Sequence, residues 1–169
     1  MEYTSSEANK LLKKLTQDYN DLLSLERQSR TFVAASGEDI ESVRPEYDFD
    51  DMQERIYDAQ MKIRKVKHAI NVFNTSTYLS EYSMTIDEAL FMIPILKERV
   101  NTLLGMKNAL PKLRDRTYGQ GLNPTIDYKY ANYDINLAAN EYEVQNNILT
   151  GIQNDLEHIN STVKFNIDL

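Results

Sequence analysis

The stretch FDDMQERIYDAQMKIRKVKHAINVF, residues 49–73, decides the fold. Its apolar positions Phe49, Met52, Ile56, Ala59, Ile63, Val66, Ile70 and Phe73 are spaced alternately three and four apart. That rhythm puts one apolar stripe along one side of a helix, the seam two helices press together. At a rise of about 1.5 Å per residue the stretch predicts a rod of roughly 37 Å. Most of the residues between the seam positions are polar or charged, so the opposite face is built for water.

The same rhythm recurs on both sides. Ala8, Leu12, Leu15, Tyr19 and Leu22 predict a first helix over 5–32, with Ser5 or Ser6 as its cap. Leu11 and Leu23 widen its stripe, which points to more than one packing neighbour. Residues 34–48, punctuated by Gly37 and Pro45 and rich in acids, read as a polar loop. Asp48, Asp50 or Asp51 is suited to begin the long helix, where carboxylates meet the positive end of the helix dipole. Thr85-Ile-Asp-Glu88 is a capping box that starts a third helix over 86–110, with Pro94 expected to kink it or delay its start. Ile135, Ala138, Tyr142, Leu149, Ile152, Leu156 and Ile159 predict a last helix over 133–159, with polar Gln145 in its seam.

Two segments alternate as strands do. Ile126, Tyr128 and Tyr130 are separated by Asp127 and Lys129, after a turn-forming Gly119, Gly121, Asn123 and Pro124. The tail alternates Val163, Phe165, Ile167 and Leu169 and is expected to pair with the segment around Tyr128. The fold class that emerges is all-α dominated: long antiparallel helices with heptad seams, as a four-helix bundle or helical hairpins, in one elongated domain over 1–169. A short β-hairpin or extended segment near 114–130 completes it.

Composition narrows function by exclusion. A net charge of −7 over 169 residues argues against a duplex nucleic-acid binder, which needs a basic face. With no cysteine, disulfides, thiolate metal sites and cysteine nucleophiles are excluded. The start is polar and lacks the apolar core of a signal peptide, and no apolar run is long enough to span a bilayer, so a cytoplasmic protein without membrane contact is expected. The two histidines, His68 and His158, have no evident Ser or Asp partner for a hydrolytic triad. Asp155-x-x-His158 offers two ligand types on one helix face but lacks the second motif a di-metal bundle needs. Gly119-Gln-Gly121 lacks the Gly-Lys-Ser/Thr ending of a phosphate loop. The reading is non-enzymatic, with no cofactor.

The order of pieces resembles a family of small bacterial and phage helical proteins labelled septicolysin, whose function is not established. The matching residues are Arg27 and Arg30, Gly37-Glu38 with Pro45, Ile70-Asn71 with Asn74 and Thr75, then Thr85, Glu88, Ala89 and Leu90, and finally Asn160, Phe165 and Leu169. Where the family carries Arg-Asp after the third cap, this chain has Ile93-Pro94, and the family's tail Trp is absent. The resemblance implies a long-helix, oligomeric architecture and transfers no chemistry.

One concentration stands out in an acidic chain: Lys112, Arg114, Arg116, Tyr118, Asn123, Tyr128, Lys129 and Tyr130. Arg forks hold phosphate oxygens and Tyr faces stack on bases. The preferred reading is a homo-oligomer that captures a small anionic, nucleotide-like ligand in inter-subunit pockets, as in phage or defence-related sequestration. The expected ligand-binding residues are Arg27, Arg30, Asn71, Asn74, Arg114, Arg116, Tyr118, Tyr128 and Lys129. The alternative is a coiled-coil scaffold or protein-interaction module with no small-molecule ligand.

Overall fold

In the computed structural model, residues 1–114 and 127–169 are described. The chain is mostly helical, with a few short antiparallel strand pairs. In chain order it runs β1 (Glu2–Thr4), α1 (Ser5–Ser29), α2 (Ile40–Val43), α3 (Phe49–Ser76), β2 (Tyr78–Leu79), β3 (Met84–Thr85), α4 (Ile86–Lys107), β4 (Lys112–Arg114), β5 (Tyr128–Tyr130), α5 (Ile135–Thr162) and β6 (Lys164–Asn166). It divides into two compact units, one of residues 1–76 with 158–169, the other of residues 77–157.

In the first unit α1 and α3 pack side by side. Met52, Ile56, Val66, Ile70 and Phe73 of α3 are buried, while Phe49 at its start stays exposed. Ala8, near the start of α1, shares a core with Val66 and Ile70, near the end of α3, so the two helices run in opposite directions. Asp48 accepts the Asp51 N–H and starts α3. The expected polar loop is not featureless: Asp39 caps the short helix α2 by accepting the Glu41 N–H.

The strand pairing differs from expectation. The tail does not pair with the segment around Tyr128. It forms β6, antiparallel to β1, with Glu2 opposite Asn166 and Thr4 opposite Lys164. The physical reason is Ile167, which beside β1 drops its side chain into the core of Ala8, Val66 and Ile70 and is 1% exposed. Its N–H continues the ladder to the Met1 carbonyl, and Phe165 stacks on Phe73 with ring centroids 4.5 Å apart. The segment around Tyr128 pairs instead with β4.

In the second unit β2 and β3 form a ribbon that leads into α4. α4 and α5 run antiparallel, since the Tyr133 hydroxyl donates to the Met106 carbonyl at one end and Tyr82 meets Gly151 at the other. Between these ends Arg99 binds Glu141 at 2.6 Å and Lys107 binds Glu143 at 3.0 Å. Gln145, the polar residue in the α5 seam, donates to the same Glu141 carboxylate. Pro94 lies inside α4 at an exposed position without ending it, although it has no N–H to donate to the carbonyl one turn back.

Both units start their first long helix in the same way. Thr4 caps α1, displacing the expected Ser5 or Ser6, and Thr85 caps α4; each hydroxyl accepts the N–H of the Glu three residues on, and that Glu accepts the Thr N–H. The shared string is Thr-x-x-Glu-Ala, and both alanines, Ala8 and Ala89, are fully buried. The backbone and side-chain hydrogen bonds from Thr4 and Thr85 hold the carboxyls of Glu7 and Glu88 below their ordinary value. A lowered folded-state pKa contributes stability that is present above the unfolded value, roughly pH 4.3, and fades as pH falls through the folded one. Replacing both by Gln should therefore flatten the acid side of a melting-temperature profile between pH 6 and pH 3. A double variant that loses as much on acidification as the wild type would disprove it.

Candidate functional site

The β4–β5 ribbon gathers the cationic and aromatic residues that stood out in the sequence. Pro111 cannot continue α4, and its carbonyl accepts the Ala131 N–H at 3.1 Å, which closes the base of the ribbon. The register sets Lys112 opposite Tyr130, Leu113 opposite Lys129 and Arg114 opposite Tyr128. Side chains alternate between the two faces of a strand pair. Lys112, Arg114, Tyr128 and Tyr130 therefore share one face, and Leu113 and Lys129 share the other.

On the first face the Lys112 ammonium stands 4.0 Å from the centre of the Tyr128 ring and 5.4 Å from that of Tyr130. The two rings are tilted to one another, 6.5 Å apart. All six strand residues are exposed. An exposed cation over an aromatic ring is held by only about 0.5–1 kcal/mol, so a ligand can displace it. The face thus offers two flat rings and two cations, a combination suited to a planar group that carries an anion. The other face borders a cleft of about 460 Å³, bounded by Leu110, Leu113, Lys129 and Tyr133.

The other expected site residues are distributed more widely. Arg27 and Arg30 stand at the end of α1, where the Arg30 guanidinium lies 3.8 Å from the Glu26 carboxylate. Asn71 and Asn74 lie in the last turns of α3, at the opposite end of the antiparallel α1–α3 pair. The structure does not bring these two pairs together. Arg116 and Tyr118 lie outside the described residues. Of the expected set, Arg114 and Tyr128 lie opposite one another in the ribbon, and Lys129 joins it on the other face. Lys112 and Tyr130, absent from that set, complete the cationic-aromatic face; their i, i+2 spacing to Arg114 and Tyr128 was the available signal.

Among the described residues no group of three or more His, Asp or Glu is placed to hold a metal ion. No helix among them is long and apolar enough to cross a membrane.

No protein-family profile matches the chain, and no curated protein matches it. The chain is similar in structure to a functionally unknown conserved protein from Corynebacterium diphtheriae, known from a crystal structure, at 16% identity and a TM-score of 0.55. The alignment covers 98% of this chain and 100% of that one. The likeness is one of fold.

Proposed function

We propose that the protein is a non-catalytic binding protein whose β4–β5 face captures a small nucleotide-like anion. The observation that supports this reading is the register, which sets Lys112 and Arg114 opposite Tyr130 and Tyr128 on one exposed face. A base stacks on a tyrosine ring while its phosphate meets Lys112 or Arg114.

The test is a panel of cyclic and linear nucleotides near a millimolar, read by tyrosine fluorescence and melting temperature. At least one should quench and stabilise. A stacked base is worth about 1–3 kcal/mol by alanine substitution, so Tyr130→Ala should weaken binding roughly 5- to 150-fold. Lys112→Glu should abolish it, and neither change removes a buried contact. If no nucleotide shifts either signal, the ligand reading fails.

A scaffold or protein-interaction role, in which heptad seams close into a bundle between chains, is favoured by a different observation. α4 turns Leu90, Phe91 and Ile95 to solvent, with Phe91 72% exposed, beside a cleft of about 480 Å³ lined by Met84 and Met92. Apolar side chains clustered in this way mark contact surfaces more often than idle ones.

A further inference from the structure

A groove of about 530 Å³ runs between α1 and α3 in the first unit. Leu15, Leu22 and Leu25 of α1 and Ala59 of α3 make its apolar lining, with Leu25 43% exposed. Its charged groups are sorted by helix. α1 contributes Asp18 and Asp21, whereas α3 contributes Arg55 and Lys62 around Asp58, leaving that side net positive.

The opposite charges do not satisfy one another across the groove. Among the described residues no ion pair joins Asp18 or Asp21 to Arg55 or Lys62. Arg55 pairs within its own helix with Asp51, at 3.5 Å, and Asp21 accepts a hydrogen bond from Gln17 at 2.9 Å. Exposed pairs of the Arg55–Asp51 kind are worth at most about 1 kcal/mol and exchange partners readily.

An apolar floor between an acidic wall and a basic wall is complementary to itself after a two-fold rotation. We propose that this groove is the interface with a second copy of the chain, α1 of each copy lying on α3 of the other. Asp18 and Asp21 then face Arg55 and Lys62 of the partner copy twice over, as a closed two-fold contact requires. The leucines of both copies complete the stripe that one α1–α3 pair leaves open to water. The surface shares no residue with the β4–β5 face, so its test is independent of nucleotide binding.

Sedimentation velocity on the full chain supplies that test. The wild type should sediment as a dimer at about 100 µM, a concentration that reveals any dissociation constant below it. Asp18→Lys with Asp21→Lys makes both walls basic, and Arg55→Glu with Lys62→Glu makes both acidic. Each double variant alone should dissociate at least about tenfold more readily, because like charges then meet across the interface. Mixed in equal amounts, the two should form a heterodimer. All four side chains are exposed, and circular dichroism checks that the helices persist; Asp18→Asn with Asp21→Asn gives a milder version in the same direction. A monomeric wild type, a double variant that dimerises as well as the wild type, or folded variants that stay apart when mixed would each overturn the assignment.

Discussion

Ile167→Ala is expected to cost about 3–4 kcal/mol, within the range for truncating a buried isoleucine. The side chain is 1% exposed and closes the core formed by Ala8, Val66 and Ile70, with Leu11, Leu12 and Phe165 around it. The other buried members of that cluster, Ala8, Val66 and Ile70, are short or β-branched and have little side-chain freedom with which to fill the void. Stability totals of 5–15 kcal/mol make this a large fraction of the whole. Denaturant titration measures the loss, and Ile167→Val should cost only about 0.5–1.5 kcal/mol. Amide exchange adds location: protection should fall around Val66 and Ile70 before it falls around Leu149 and Ile152. A loss under about 1 kcal/mol for the alanine variant would mean that β6 merely rests on the unit.

The second large effect concerns Gly151. In the middle of a helix, Gly→Ala ordinarily gains about 1 kcal/mol. Here the gain should reverse, since a Cβ at Gly151 would overlap the Tyr82 hydroxyl, with the ring carbon behind it only 3.2 Å away. The main chain of Tyr82 is anchored, so relief must come from swinging its ring off α5. Tyr82 sits in the tight turn between β2 and β3, where its N–H bonds the Leu79 carbonyl at 3.1 Å and the following Ser83 adopts a φ of 51°. Burial, and then the charges of Asp155 and Glu81, push its hydroxyl pKa upward, in keeping with a ring tucked against α5. Overpacking of this sort costs about 1–3 kcal/mol. In a Tyr82→Ala background the same Gly151→Ala change should become stabilising. The sign reversal in a double-mutant cycle is the measurement, and an unchanged sign would dissociate the two residues.

The helices were legible because their apolar spacing is a local property. Ile56, Val66, Ile70 and Phe73 announce a buried side whatever they meet, and Thr85 with Glu88 announces a helix start within four residues. Partner choice was not legible. The alternation of Val163, Phe165, Ile167 and Leu169 reveals a strand, yet nothing in it distinguishes β1 from β5 as its neighbour; burial of Ile167 beside Ala8 decides that, and it acts across most of the chain. Which of Thr4, Ser5 and Ser6 caps α1 was not legible, because all three carry a hydroxyl suited to the role and only the Glu7 N–H donating to the Thr4 hydroxyl decides it. The β4–β5 face was half visible: Lys112, Arg114, Tyr128, Lys129 and Tyr130 all stood out as types, whereas the register that sets Lys112 and Arg114 on one face with Tyr130 and Tyr128, and turns Lys129 away, exists only once the strands pair.

The β1–β6 ribbon also sets an order of events during synthesis. Residues 77–157 form a contiguous unit, so every contact it needs exists once residue 157 has left the ribosome. The unit that begins the chain cannot finish until Ile167 has been made, because that side chain closes a core opened by Ala8. Of the two units, the one whose translation starts earlier is thus completed later. During that interval the apolar stripes of α1 and α3 are incompletely covered, and contacts so distant in sequence form slowly. Exposure to aggregation during synthesis is therefore longest for α1 and α3.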